Sequence, residues 1–277
     1  MGLRCLHLWC SRQAVILNNA DTFRSKLGPV MAGLLGSAVK KFLQRRGLML
    51  VNPDFRWGVS VFSDIRRLAQ SQNWSLDQVF DVGAHFGEWA GTALTEFASA
   101  QVCSFEPFPE SFTQLQQKLG GHTRSRQVNL AASDSTGEKQ FHLYENSCLN
   151  SLTDSSAWTV KANWSSMASI VVRSVRLDEW CESEKVAQVD VLKVDTEGFD
   201  LQVLQGATGL FERRAVRFVF VEFNDLQPRE AVTGGALLPI DSLLRSFGFR
   251  FINTYVDNVG VQGQLFVTSN ALFMLQP

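Results

Sequence analysis

The sequence predicts an α/β fold built around a mostly parallel β-sheet. From residue 78 onward, strand-like apolar runs alternate with segments of helical periodicity, which is the pattern of βαβ units. The runs at 189–194 and 217–223 are almost continuously apolar, as in strands that are buried on both faces. In such sheets the connections are right-handed, and ligands bind beyond the carboxyl ends of the strands. A binding site is therefore expected at that edge.

The composition is that of a folded protein with a large core. The chain has 277 residues, of which 45% are hydrophobic and 19% charged, and it contains 21 Phe. These values exclude the disordered and collagen-like classes. No apolar stretch reaches the ~18–20 residues of a membrane span. The five cysteines are widely spaced and form no C-x-x-C pair, which disfavours a disulfide framework or a zinc site and indicates a cytoplasmic protein.

Charge is distributed unevenly along the chain. Residues 1–77 carry eleven Lys and Arg against four Asp and Glu, whereas the remaining 200 residues have a net charge of −8. We expect residues 1–50 to form a basic extension, partly disordered or helical, with a helix between Met31 and Phe42. Residues 51–277 would form the main domain. The net charge of −1 gives no overall basic character, so nucleic acid is not the expected partner.

Apolar spacing and turn signals give the elements of the main domain in order. Helices are predicted to begin after Pro53, at Glu88, at Pro109, near Leu201 and near Ile240. Strands are predicted at 78–82, 102–105, 126–132, 189–194, 217–223, 251–256 and 271–275.

One region, residues 134–178, interrupts this alternation. It contains two predicted strands, at 141–145 and 169–177, and a Ser-rich loop that holds Trp158 and Trp164. An insertion of this length in a compact domain is usually functional or disordered. We interpret it as a β-hairpin flap over the site. The two tryptophans are candidates for stacking on a substrate, the alternative being that they pack the flap onto the domain.

The strongest motif is the segment 79–87, VFDVGAHFG, a strand that runs into a glycine turn and a helix. Glycines at 83 and 87 allow close approach of the backbone, and the helix start offers free N–H groups to an anion. His85 stands where a dinucleotide fingerprint needs glycine, which disfavours NAD, and the Walker pattern of NTPases is absent. The candidate ligand-binding residues of this turn are Asp81, Gly83, Ala84, His85 and Gly87.

Two further strand ends complete a nucleoside-binding pattern. Glu106 ends the next strand about 20 residues after the glycine turn, where an acid holds ribose hydroxyls. Ser133 and Asp134 follow the third strand and suit an adenine edge. A carboxylate-binding helix start, a ribose acid and an adenine contact together fit S-adenosylmethionine.

These motifs, with others that follow them in order, resemble the FkbM-type methyltransferases. The matching pieces are Asp81–Gly87, Phe105-Glu106-Pro107, Ala131–Asp134, Asn150-Ser151-Leu152, Leu177-Asp178, Lys193–Gly198 and Val221-Glu222. The resemblance covers about residues 78–225 and, more loosely, 248–275. It implies a Rossmann-like class I methyltransferase fold whose seven-stranded sheet has an antiparallel last strand. It also implies S-adenosylmethionine as the methyl donor and a hydroxyl oxygen as the usual acceptor.

The chain departs from the family pattern at two positions. His85 stands where Asn is common, and Thr196 stands where an aliphatic residue is usual. We expect His85 to alter a contact of the cofactor turn, with a role as a base as the alternative.

Methyl transfer to a hydroxyl needs alignment and either a base or a metal that activates the acceptor. Asp195 and Glu197 are the base candidates. We expect a regular strand to place Lys193 on the opposite face, the alternative being that it pairs with these acids or tunes them. Glu222 and Asn224, at the end of the next strand, are substrate candidates. Magnesium bound by Asp195, Glu222, Asn224 and Asp225 is the less favoured alternative, and we expect no resident metal.

The sequence leaves the acceptor open among sugar or glycan, lipid and secondary-metabolite hydroxyls. Two other functions rank behind methyl transfer. One is a non-catalytic nucleotide-binding or interaction protein on the same fold, and the other is an NAD-dependent oxidoreductase.

Overall fold

The computed structural model describes residues 56–153, 166–224, 236–261 and 265–277. The predicted basic extension, the helix expected between Met31 and Phe42, and both flap tryptophans, Trp158 and Trp164, lie outside these residues. Within the described part of the chain, none of the helices combines the length and the apolar character needed to cross a membrane.

A seven-stranded sheet forms the centre of the fold, with strands in the order β3-β2-β1-β7-β8-β10-β9. Its strands are β1 (Gln78–Val82), β2 (Gln101–Phe105), β3 (Ser125–Val128), β7 (Val189–Val194), β8 (Val216–Asn224), β9 (Phe249–Val261) and β10 (Leu265–Leu275). The pairs from β3 to β8 are parallel, and β10 is antiparallel to both β8 and β9. The predicted mostly parallel sheet with an antiparallel last strand is therefore confirmed.

Helices cover both faces of this sheet. They are α1 (Val61–Ser71), α2 (Glu88–Glu96), α3 (Pro109–Leu119), α4 (Leu177–Ser183), α5 (Asp200–Gln205), α6 (Thr208–Glu212) and α7 (Leu237–Ser246). Apolar residues of α1, α2 and α3 share one buried cluster with Val79, whereas those of α4 to α7 share the other with Phe80. Successive residues of β1 thus pack into the apolar clusters on opposite faces of the sheet, which explains why the central strands are almost continuously apolar in sequence.

The predicted third strand, residues 126–132, is wrong as a single element. Only β3 belongs to the main sheet, whereas β4 (Ala131–Ala132) pairs with the insertion. Between them the Asn129 side chain donates to the carbonyl oxygens of Glu106 (2.8 Å) and Pro107 (3.1 Å). These bonds tie the chain to the end of β2, so it leaves the sheet at this point.

The insertion is a three-stranded sheet in the order β4-β6-β5, with β5 (Gly137–Leu143) and β6 (Ala168–Val175) antiparallel. The predicted hairpin is thus present, but its second strand ends at Val175, and Leu177 instead begins α4. Phe141, on β5, stacks on Phe108, which follows β2, with 6.5 Å between the ring centroids. This contact holds the insertion beside the carboxyl edge of the main sheet.

Candidate active site

The glycine turn after β1 lies against the loop that follows β7. Gly83 has a φ of 76°, and a Cβ there would come within 1.8 Å of the Asp195 carbonyl oxygen. Gly87 has a φ of 80°, and a Cβ there would meet Leu115 Cδ1 at 2.6 Å. Side chains are therefore excluded at both positions by contacts within the protein, and the Gly83 contact brings two strand ends together at the point where the strand order reverses.

Glu106 is buried at the end of β2 and accepts two backbone hydrogen bonds. Its Oε2 accepts from the N–H of His85 (2.8 Å) and its Oε1 from the N–H of Phe108 (2.8 Å). Burial raises the pKa of Glu106 to about 7, while these two N–H groups oppose the rise. The carboxylate therefore joins the β1 turn to the start of the connection that follows β2.

The N-terminus of α2 adjoins this carboxylate. Its N-cap is Gly87, which has no side chain to cap the first N–H groups of the helix. Ala84 is buried in the turn, and its N–H donates to the Phe105 carbonyl oxygen (3.0 Å). Donors at the helix start and an acceptor at Glu106 thus lie at neighbouring strand ends.

His85 directs its side chain towards the insertion. It has a φ of 48°, which few non-glycine residues adopt, and its ring lies 3.6 Å from that of Phe86 between centroids. Its Nε2 is 3.0 Å from Ser147 Oγ and 4.0 Å from Cys148 Sγ. His85 thus contacts the insertion through Ser147 and Cys148.

Lys193 is buried between two carboxylates. Its Nζ lies 3.0 Å from Asp81 Oδ1 and 3.4 Å from Asp195 Oδ2, and it donates to the Gly83 carbonyl oxygen at 3.2 Å. The expectation that Lys193 lies on the opposite face from Asp195 is therefore wrong, because side chains two residues apart leave a strand on the same side. Burial alone would lower the pKa of Lys193, but the two carboxylates outweigh burial and raise it.

Asp81 is fully buried beneath the turn. Burial raises its pKa, and the ion pair with Lys193 opposes that rise. Its carboxylate is linked to the site by Lys193 and by a backbone hydrogen bond with Ala90 at the start of α2.

Three carboxylates cluster at the ends of β7 and β8. One oxygen each of Asp195, Glu197 and Glu222 lies within 4.8 Å of the others. Glu222 is buried, and its pKa is raised well above the ordinary value by burial first and then by the charges of Glu197 and Asp195. A hydrogen bond with Asp195 raises it further. The Asp195 side chain is 33% exposed, so this carboxylate is open to an incoming group.

Asp200 is a site residue that sequence reasoning did not single out. Its Oδ1 accepts from the N–H (2.8 Å) and hydroxyl (3.0 Å) of Thr196, and its Oδ2 accepts from the N–H of Gly198 (3.2 Å). Burial raises its pKa to about 7, and the nearby Asp195 adds to the rise. The signal in the sequence was an Asp four residues after Thr196 at a helix start, where such side chains hold a preceding turn.

Ser133 and Asp134 lie where β4 enters the insertion. Ser133 is buried and donates to Asp134 Oδ1 (2.8 Å), which also pairs with Lys139 Nζ (3.2 Å). Pro107 is half-buried after Glu106. Asn224 closes β8, but its side chain, like Asp225 as a whole, lies outside the described residues.

The methyltransferase FkbM domain matches residues 81–251 of the chain, which is more than half of it. The chain belongs to the FkbM methyltransferase family. The resemblance inferred from its motifs is thereby confirmed, and the matched segment begins at Asp81 and includes the β1 turn, Glu106 and the three clustered carboxylates.

Three curated relatives share this similarity. The 2-O-methyltransferase NoeI of Sinorhizobium fredii is 25% identical, over 53% of this chain and 63% of its own length. The hexuronic acid methyltransferase AglP of Haloferax volcanii is 31% identical, over 58% of this chain and 62% of its own. The 31-O-demethyl-FK506 methyltransferase FkbM of Streptomyces tacrolimicus is 27% identical, over 64% and 74%. The alignments thus span less than two thirds of the length of NoeI and AglP.

Proposed function

We propose that this protein is an S-adenosylmethionine-dependent O-methyltransferase that acts on a hydroxyl of a sugar, a lipid or a secondary metabolite. Membership of the FkbM family supports methyl transfer. The names of NoeI and FkbM refer to O-methylation, and that of AglP to a hexuronic acid. A sugar or another small polyhydroxylated molecule is the acceptor that best agrees with these names.

One observation carries the proposal. A buried, backbone-held carboxylate (Glu106) and a cluster of carboxylates around Asp195 lie at the same edge of the sheet, joined through the β1 turn. The first suits a nucleoside, and the second suits the removal of a proton from an acceptor.

The residues at the β1 and β2 ends fit S-adenosylmethionine. Glu106 would accept hydrogen bonds from the ribose hydroxyls, and the uncapped start of α2 would receive the carboxylate. Ser133 and Asp134 would adjoin the adenine. When bound, the cofactor supplies a methyl carbon whose bond to sulfur breaks, with the electron pair returning to sulfur, as the carbon–oxygen bond forms.

Asp195 is the proposed general base. An acceptor hydroxyl that hydrogen-bonds to its exposed carboxylate gives up its proton to that carboxylate as the oxygen attacks. Lys193 holds Asp195 Oδ2 from below and fixes the direction of the side chain. Burial and the charges of Glu197 and Asp195 raise the pKa of Glu222, which favours its protonated form, and in that form it would donate a hydrogen bond to Asp195.

Calorimetric titration of the purified chain with S-adenosylmethionine and S-adenosylhomocysteine tests the cofactor site, with NAD as the negative ligand. Both thioethers are expected to bind with micromolar affinity. Glu106→Ala is expected to abolish binding, whereas Glu110→Ala, an exposed acid on α3, is the matched control and is expected to leave it unchanged. Folded protein that binds neither thioether would contradict the proposal.

Transfer of a labelled methyl group to a panel of sugars, lipids and aromatic alcohols then identifies the acceptor class. Label in a sugar ether is the expected result. Label only in nitrogen- or carbon-linked products would contradict O-methylation.

A further inference from the structure

The insertion contacts both halves of the site through one short segment, residues 147–151, here called the strap. It opens with a 3-10 turn, Ser147–Leu149, and ends at Ser151, which exchanges backbone hydrogen bonds with His142 of β5. The side chain of Asn146 accepts from the N–H of Cys148 (3.1 Å), and that of Asn150 accepts from the N–H of Tyr144 (2.8 Å). The strap is thus fastened to β5 at its end and braced by its own side chains.

The two ends of the strap reach different loops. At one end, Ser147 Oγ lies 3.0 Å from Nε2 of His85 in the β1 turn. At the other, the buried Ser151 donates its hydroxyl to the carbonyl oxygen of Thr196 (3.0 Å). These two loops meet where the strand order reverses. The strap therefore bridges the β1 turn and the loop between β7 and α5, residues 195–199, here called the acid loop.

The hydroxyl of Ser151 bonds to the backbone of the residue that separates the two base candidates. Thr196 lies between Asp195 and Glu197, and its N–H and hydroxyl are already held by Asp200. Ser151 therefore bonds to the carbonyl oxygen of Thr196, which also accepts from the N–H of Phe199 (3.4 Å), whereas Asp200 holds the Thr196 N–H. Glu197 has a φ of 54°, a backbone conformation that persists only where its surroundings hold it.

We propose that the strap positions the acid loop for catalysis and that Ser151 is its positioning residue, acting through Asp195. This inference rests on the proposed function, because Asp195 is the base only if methyl transfer takes place here. Ser151 itself contacts no reacting atom. Its hydroxyl sets the direction of the loop from which Asp195 projects, and small errors in such geometry cost large factors in rate.

The test compares Ser151→Ala with Ser174→Ala. Ser174 is also a buried serine of the insertion, and its hydroxyl donates to the carbonyl oxygens of Ser135 (2.9 Å) and Gly137 (3.2 Å), away from the acid loop. Ser151→Ala is expected to lower kcat about 10- to 100-fold with the Kd of S-adenosylmethionine unchanged. Ser174→Ala is expected to leave kcat unchanged, and Ser151→Thr, which keeps the hydroxyl, to restore most of the activity.

A double-mutant cycle shows whether Ser151 acts through Asp195. In an Asp195→Asn background, adding Ser151→Ala is expected to lower kcat no further, because the group that Ser151 positions has lost its function. An equal loss in both backgrounds would overturn the inference. So would a loss of kcat in Ser174→Ala as large as that in Ser151→Ala.

Amide hydrogen exchange in the free protein gives a readout that needs no activity. Ser151→Ala is expected to speed exchange at the N–H groups of Thr196 and Gly198 at least tenfold, with no such change in Ser174→Ala. Unchanged exchange in Ser151→Ala would overturn the inference and leave the proposed function standing. A wild-type chain that binds no thioether would remove the proposed function, and this inference with it.

Discussion

The two halves of the carboxyl edge of the main sheet place their acidic side chains in different surroundings. At the β1 and β2 ends, each carboxylate oxygen of Glu106 accepts one hydrogen bond from a peptide N–H group. At the β7 and β8 ends, Asp195, Glu197 and Glu222 face one another, and Lys193 lies below Asp195. A carboxylate held by donors keeps acceptor capacity for ligand hydroxyls, whereas carboxylates that face each other retain a proton. The same residue type thus suits binding in one half and proton transfer in the other.

The largest effect is expected from Asp195→Asn, which removes the proposed base and leaves the shape of the cluster. We expect kcat to fall about 10²- to 10⁴-fold, the usual contribution of a positioned base, with the affinity for S-adenosylmethionine unchanged. Steady-state rates and calorimetry separate these two effects. Asp241→Asn, in an i,i+4 pair with Arg245 on α7, is the control. Activity of Asp195→Asn within tenfold of the wild type would assign the base elsewhere.

Lys193→Met is expected to have the next largest effect, this time on stability. It leaves Asp81 buried without its partner, and breaking a buried pair from one side costs about 3–5 kcal/mol. The free energy of unfolding in urea measures this cost. Lys118→Met is the matched control, since Lys118 and Glu88 form a surface pair (2.9 Å) expected to contribute less than about 1 kcal/mol. Equal losses in the two variants would show that Lys193 does not join the two halves.

The sequence predicted those parts of the site that follow from strand order. Glu106 and Asp195 each stand at the end of an apolar run, and parallel strands place such ends at one edge, so their position at the same edge followed from the pattern alone. The pair between Lys193 and Asp195 was only the alternative to an expected position of Lys193 on the opposite face. Family motifs then supplied the chemistry that a fold alone does not give.

The parts that it missed depend on side chains that bond to distant backbone. Asn129 divides the predicted third strand because it reaches carbonyl oxygens 22 and 23 residues earlier. Ser151 contacts Thr196 across 45 residues, and neither residue has a periodicity that indicates the other. The glycine at 83 was assigned to ligand approach, whereas the structure shows a neighbouring carbonyl that only a folded sheet brings there.

A smaller effect is expected from pH on the affinity for S-adenosylmethionine, through Glu106. Burial raises the pKa of Glu106 to about 7, and in the proposed binding mode ribose hydroxyls would donate to its ionised form. Binding therefore favours the ionised carboxylate, so affinity should be constant above pH 7 and fall by up to tenfold per pH unit below it. Calorimetry from pH 5.5 to 8.5 measures this dependence. Because Asp200 has a similar pKa, Glu106→Gln is the control. It is expected to bind weakly with a flat profile, and a retained slope would assign the titration to another group.

The smallest effect is expected from Glu222→Gln and from chelation of divalent cations. These two experiments distinguish a proton on Glu222 from a metal ion bound by Asp195, Glu197 and Glu222. If Glu222 holds its proton, Gln reproduces both its shape and the hydrogen bond it donates to Asp195, and kcat should change by less than about threefold. A strong chelator should then leave the initial rate unchanged, because the proton rather than a cation relieves the repulsion among the three carboxylates. Magnesium held by the same oxygens would make Glu222→Gln as damaging as the loss of a ligand, and added magnesium would restore the chelated enzyme. Loss of activity in both experiments would therefore show that a metal ion, rather than a proton, lies among the carboxylates, and Asp195 would be a metal ligand rather than the base.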